Sequence, residues 1–211
     1  MQLEALSTCS TNLDLITGSK LKEGFWSTNA RHNCNLSSVN GVEIMTEFEQ
    51  EQLESQAQRL GDQLIQKRWS LVTAESCTGG WIAQTATAIG GSSAWFDRGF
   101  VTYSNRSKIE VLGVAESSLQ KYGAVSAEVA REMARGALVT AKVEIAVAVT
   151  GIAGPEGGTL DKPVGTVCFG WCTKGREPIS RVMCFDGDRR RIRARTVASA
   201  FAGLFDLLDG E

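Results

Sequence analysis

Two nucleophiles stand side by side in the run Thr73-Ala74-Glu75-Ser76-Cys77-Thr78-Gly79-Gly80, where an apolar stretch gives way to small residues and then to helix-forming sequence. A side chain at such a strand-to-helix turn lies beside backbone N–H groups that lack intrahelical partners, a setting that suits an oxyanion or a phosphate. The Ser76 hydroxyl needs a base to remove its proton. Cys77 is intrinsically the stronger nucleophile, and a helix start lowers a thiol's pKa. Residue types alone leave the two even. The base is constrained by composition, because His32 is the only histidine and sits in a stretch without periodicity. An ordinary Ser-His-Asp triad is therefore set aside, no histidine is placed to pair with Cys77, and a lysine becomes the replacement. Lys108 follows shortly after the second expected strand and reaches Ser76 if the two strands are neighbours. To act near neutrality it must lose about 3 pKa units, roughly 4 kcal/mol, through burial or nearby positive charge, for which Arg98 and Arg106 are at hand. Tyr103 could orient or relay the proton. Taken singly, Lys108 reads as a solvated helix lysine, Tyr103 as a core residue with a wet hydroxyl, and Glu75 as a helix-start carboxylate.

Binding residues are expected around the same turn. Thr78, Gly79 and Gly80 allow close backbone approach for an oxyanion hole or a bound anion. Thr150, Gly151 and Gly154 open a second glycine-rich stretch, residues 151–158, at the carboxyl end of the most apolar strand, where α/β sheets bind ligands. Neither stretch fits the P-loop or the dinucleotide fingerprint, so no cofactor is expected. Arg189, Arg190, Arg191, Arg193 and Arg195 form the basic cluster of the chain. Helix geometry splays them over more than one face, and Arg189 is favoured for a substrate phosphate by its place next to a loop. Cys168 and Cys172 fall on one face of a strand among Val167, Phe169 and Trp171, which reads as packing, and no metal site is expected.

The elements that must carry these residues alternate. Phe48, Leu53, Ala57, Leu60 and Leu64 recur at helical spacing. An apolar strand from Trp69 to Ala74 follows, then a helix over 78–89, a strand over 95–103, and a short helix capped by Ser104 and stopped by Gly113. Ser126 precedes a long helix to which Val129, Met133, Ala137 and Val139 contribute apolar surface. A buried strand over 143–149, an antiparallel hairpin of strands over 164–172 and 179–185, and a final helix over 189–208 complete the order. The pattern implies a single-domain α/β protein, three-layer α/β/α with a mixed β-sheet. Residues 1–44 show neither period and are read as a disordered extension or a misassigned start, leaving 45–211 as the domain.

Three separated motifs, the octapeptide 73–80, Gly99-Phe100-Val101-Thr102-Tyr103-Ser104-Asn105 and Thr150-Gly151-Ile152-Ala153-Gly154-Pro155, together resemble the CinA C-terminal-domain family, also described as nicotinamide-mononucleotide amidohydrolases, over about residues 45–208. The resemblance implies the same fold and a Ser/Lys arrangement, with Ser76 as nucleophile, Lys108 as base and Tyr103 in support. It implies hydrolysis of nicotinamide mononucleotide to nicotinic acid mononucleotide and ammonia. A non-catalytic nucleotide-binding or competence-associated partner protein is the rival reading.

Composition narrows the setting. A net charge of −2 exerts no overall pull on nucleic acid. No apolar run approaches the roughly 20 residues of a membrane helix, so no membrane partner is expected. With no secretory signal and scattered cysteines read as free thiols, the cytoplasm is the expected compartment. The expected partner is a small-molecule nucleotide substrate, and a homo-oligomer is compatible with the sequence.

Overall fold

The computed structural model describes residues 47–210. The boundary expected at residue 45, together with His32, Cys9 and Cys34, lies outside the described residues, as does the Phe48 side chain. In chain order the elements are α1 (Glu47–Lys67), β1 (Leu71–Glu75), α2 (Trp81–Thr87), β2 (Phe96–Val101), α3 (Asn105–Leu112), α4 (Glu116–Tyr122), α5 (Ala127–Ala141), β3 (Ile145–Gly151), β4 (Thr166–Thr173), β5 (Ile179–Cys184) and α6 (Arg189–Asp209). The five strands lie in the order β2-β1-β3-β4-β5. β2, β1 and β3 run parallel, while β4 and β5 are antiparallel additions, which makes the sheet mixed.

Each face of the sheet is covered by helices, the three-layer arrangement. Leu53, Ala57, Leu60 and Leu64 of α1 meet Ile82 of α2, Phe201 and Leu204 of α6, and the odd-numbered Val147, Phe169 and Trp171 of the central strands. On the opposite face Val129, Met133, Ala137 and Leu138 of α5, with Leu112 and Leu119 of α3 and α4, pack on Val72, Ala74, Ala146, Ala148 and Cys172. Val139 departs from expectation: it is 66% exposed, because the helical period turns Leu138 rather than Val139 toward the sheet.

Two local features set the positions that matter for chemistry. α2 begins at Trp81 instead of near 78, because Gly79 (φ 62°) and Gly80 (φ 96°) adopt left-handed conformations that a helix interior does not accept. α3 starts and stops where the sequence indicates. The Ser104 hydroxyl accepts from the Ser107 N–H, and Gly113 closes the helix at φ 65°. α3 also lies directly against α5, since a Cβ on Gly136 would fall 1.8 Å from the Leu112 carbonyl oxygen.

Candidate active site

The period of two along β1 decides which neighbour faces which layer. Val72 and Ala74 point toward α5, and Ser76, two residues further on, continues that face as the strand ends. Cys77 turns the other way and is packed in the α1–α6 core. Because β1 and β2 are parallel neighbours, the turn after β2 delivers α3 beside the turn after β1. Lys108 thereby reaches across, with Nζ 3.1 Å from Ser76 Oγ and donating to the Thr102 carbonyl at 2.8 Å. The serine is 8% exposed and the lysine 1%.

Burial lowers the Lys108 pKa from its ordinary value. An ammonium has three N–H donors to satisfy, and no carboxylate pairs with this one among the described residues. The opposing influence would be a Cys77 thiolate. Burial pushes that thiol up to about 12, so the charge is absent at neutral pH. The expectation that the turn would lower the Cys77 pKa is thus reversed: desolvation outweighs the neighbouring N–H groups and Arg193, which act to lower it. Arg98 and Arg106 are occupied instead with Asp97 and Glu110.

Glu75 is fully buried and closes the turn. Its carboxylate accepts from the N–H groups of Gly80 (3.0 Å), Ile82 (3.1 Å) and Ala83 (2.8 Å) and from the Thr73 hydroxyl (3.3 Å). The Gly79 N–H donates to the Ser76 carbonyl and the Ser76 N–H to Val149. The oxyanion donors expected from Gly79 and Gly80 are therefore already spent within the turn, because the left-handed glycines curl those N–H groups back onto the protein. The hydroxyls of Thr78 and Thr102 are both buried without a hydrogen-bond partner among the described residues. Buried hydroxyls are ordinarily paired, so these are free donors on the two turns that hold Ser76 and Lys108.

The remaining expected residues gather around α6. Arg189 donates to the Gly154 carbonyl (2.8 Å) and to the Tyr103 hydroxyl (3.0 Å), tying the second glycine-rich loop to the turn after β2. Tyr103 is 63% exposed, and its hydroxyl is engaged with Arg189 rather than with Ser76 or Lys108. Thr150 is buried, its hydroxyl donating to the Ala124 carbonyl, and Gly151 lies against Thr166 and Val167. A cavity of about 620 Å³ opens between the stretch Gly79–Gln84 and Arg189, Arg190 and Arg193. Sequence reasoning did not single out Trp81, and it named Arg193 only as a member of the basic cluster. The Arg193 guanidinium lies 5.1 Å from the Trp81 ring centroid and donates to the Thr78 carbonyl. Only the proximity of a tryptophan to the glycine turn hinted at this pairing.

The CinA C-terminal domain family model matches residues 53–208. A protein of Escherichia coli strain K12 named nicotinamide-nucleotide amidohydrolase PncC is 50% identical over 161 residues, covering 76% of this chain and 96% of that protein. A protein of the same name from Enterobacter agglomerans is 55% identical over 134 residues, 64% of this chain and 82% of that one. Among solved structures, the competence/damage inducible protein CihA from Agrobacterium tumefaciens superposes with a TM-score of 0.72 at 44% identity, covering 74% of this chain and 94% of that chain. With the family model covering most of the chain and relatives this similar, the protein belongs to the CinA C-terminal domain family.

Proposed function

We propose that this chain is a nicotinamide-nucleotide amidohydrolase, converting nicotinamide mononucleotide and water to nicotinic acid mononucleotide and ammonia by a Ser/Lys mechanism. The similarity to proteins named for that activity supports the substrate. The single observation that carries the mechanism is the buried contact of Lys108 Nζ with Ser76 Oγ. In the neutral amine, two N–H groups and one lone pair are available. One N–H donates to Thr102, and the lone pair faces the serine proton. Ser76 Oγ attacks the carboxamide carbon as Lys108 takes that proton. The tetrahedral oxyanion is met by the backbone N–H of Thr78, two residues beyond the nucleophile, which has no hydrogen-bond acceptor among the described residues. Collapse breaks the C–N bond, and Lys108 returns the proton to the departing ammonia. Water, deprotonated by the same amine, then cleaves the ester and restores Ser76.

A cytoplasmic role in pyridine nucleotide recycling is part of this proposal. Incubation of the purified protein with nicotinamide mononucleotide, followed by ammonia assay and mass spectrometry, tests it. Stoichiometric ammonia and the acid product are expected. Binding of the nucleotide without turnover would instead support a non-catalytic role.

A further inference from the structure

The cavity beside the Gly79–Gln84 stretch contrasts with the chain around it. The protein carries a net charge of −2, yet among the described residues three arginines and no acidic side chain line this space. Its size, about 620 Å³, suits a mononucleotide. The three arginines are not equivalent. Arg189 is used on both sides, by the Gly154 carbonyl and the Tyr103 hydroxyl, and acts as a strut between loops. Arg193 spends one N–H on the Thr78 carbonyl and lies over the Trp81 ring. A guanidinium has five N–H donors, so most of its hydrogen-bonding capacity remains while its orientation is fixed. Arg190 lines the same space, and no hydrogen bond or ion pair engages its side chain among the described residues. A preoriented guanidinium joined by a second, unengaged one is the arrangement that binds a phosphate monoester, by several charge-assisted hydrogen bonds at once.

We propose that Arg193, held over the Trp81 ring, and Arg190 form the phosphate subsite of the substrate, in place of Arg189, and so make the enzyme select a nucleotide over the corresponding nucleoside. This deepens the amidohydrolase reading and rests on it for the identity of the ligand. The wall connects to the reacting residues through the backbone: the carbonyl that Arg193 holds belongs to Thr78, two residues from Ser76. Phosphate bound here therefore bears on the turn that carries the nucleophile, and remote binding energy of this kind serves to position the reacting end.

The test uses the proposed acid product, nicotinic acid mononucleotide, and the corresponding riboside, neither of which carries the amide to be cleaved. Equilibrium titration of each into the full chain should show that the wild type prefers the phosphorylated ligand by about tenfold or more. Arg190→Ala and Arg193→Gln should each erode that preference while leaving riboside affinity unchanged within about twofold. Arg193→Lys should fall between, retaining charge but not the flat fork. Equal losses for both ligands would mean that the arginines only support the fold and would overturn the subsite, as would an intact preference in both variants or no preference in the wild type. Phosphate selectivity in a protein that releases no ammonia from nicotinamide mononucleotide would keep the subsite and sink the hydrolase. Ammonia release with an unaltered preference in the variants would do the reverse.

Discussion

At the scale of single residues, the competition between Ser76 and Cys77 is resolved by direction and solvation. Continuing the alternation of Val72 and Ala74 brings Ser76 to the lysine, and the adjacent thiol enters an apolar core where ionisation is costly. A period of two through 72, 74 and 76 sends adjacent side chains to opposite faces, yet the residues alone left the two nucleophiles even, because the period does not say which face receives the base. The lack of a usable histidine left Lys108 as the candidate base. What was not legible is the fate of the Gly79 and Gly80 N–H groups, which the Ser76 carbonyl and the Glu75 carboxylate accept only once the two glycines have bent the chain back. The lowered Lys108 pKa has a kinetic consequence. As pH rises through that lowered value the amine loses its proton, so the rate should climb along a limb below the range of free lysine. Lys108→Arg should remove turnover by at least about a hundredfold and abolish that limb, since guanidinium keeps its proton at any usable pH. A pH-rate profile of both proteins checks this. An active variant with an unchanged profile would reduce Lys108 to a source of positive charge.

At the scale of elements, the critical contact is that of α3 with α5. The sequence marked α3 well, because Ser104 and Gly113 are local signals, and it marked the hairpin of β4 and β5 by the short connection between them. It did not single out α4, which buries only Leu119 and so lacks a strong apolar period. It also overextended α2, since the residues that follow the strand compose well as helix but include two glycines at positive φ. Gly136 was invisible as a constraint, because its role depends on which helix crosses it. Adding a methyl there must separate α5 from the last turn of α3, the helix that carries Lys108. Gly136→Ala is expected to cost about 1–3 kcal/mol of stability. It should also lower kcat more than it raises KM, because the base on α3 moves relative to Ser76 while Arg190 and Arg193 are carried by α6. Thermal denaturation and steady-state kinetics measure the two effects.

For the molecule as a whole, the alternation of apolar strands and amphipathic helices was enough to indicate three layers, and the antiparallel hairpin was enough to make the sheet mixed. Long-range partnerships were not available in the same way: Trp81 meets Arg193, and Tyr103 meets Arg189, only because the carboxyl end of the sheet collects turns from distant parts of the chain. The family match begins at residue 53, and Leu53, Ala57, Leu60 and Leu64 provide the contribution of α1 to the core. A chain shortened to begin at Met45 retains all of them and should keep its thermal midpoint and its turnover. A large fall in either would place residues 1–44 within the functional unit. The central claim, that Ser76 is the nucleophile activated by Lys108, is tested most directly by comparing ammonia release from nicotinamide mononucleotide by Ser76→Ala and Cys77→Ala. The account predicts that the serine variant, still folded, loses nearly all turnover while the cysteine variant retains an appreciable rate. Turnover that survives in Ser76→Ala and disappears in Cys77→Ala would contradict it and identify a thiol enzyme.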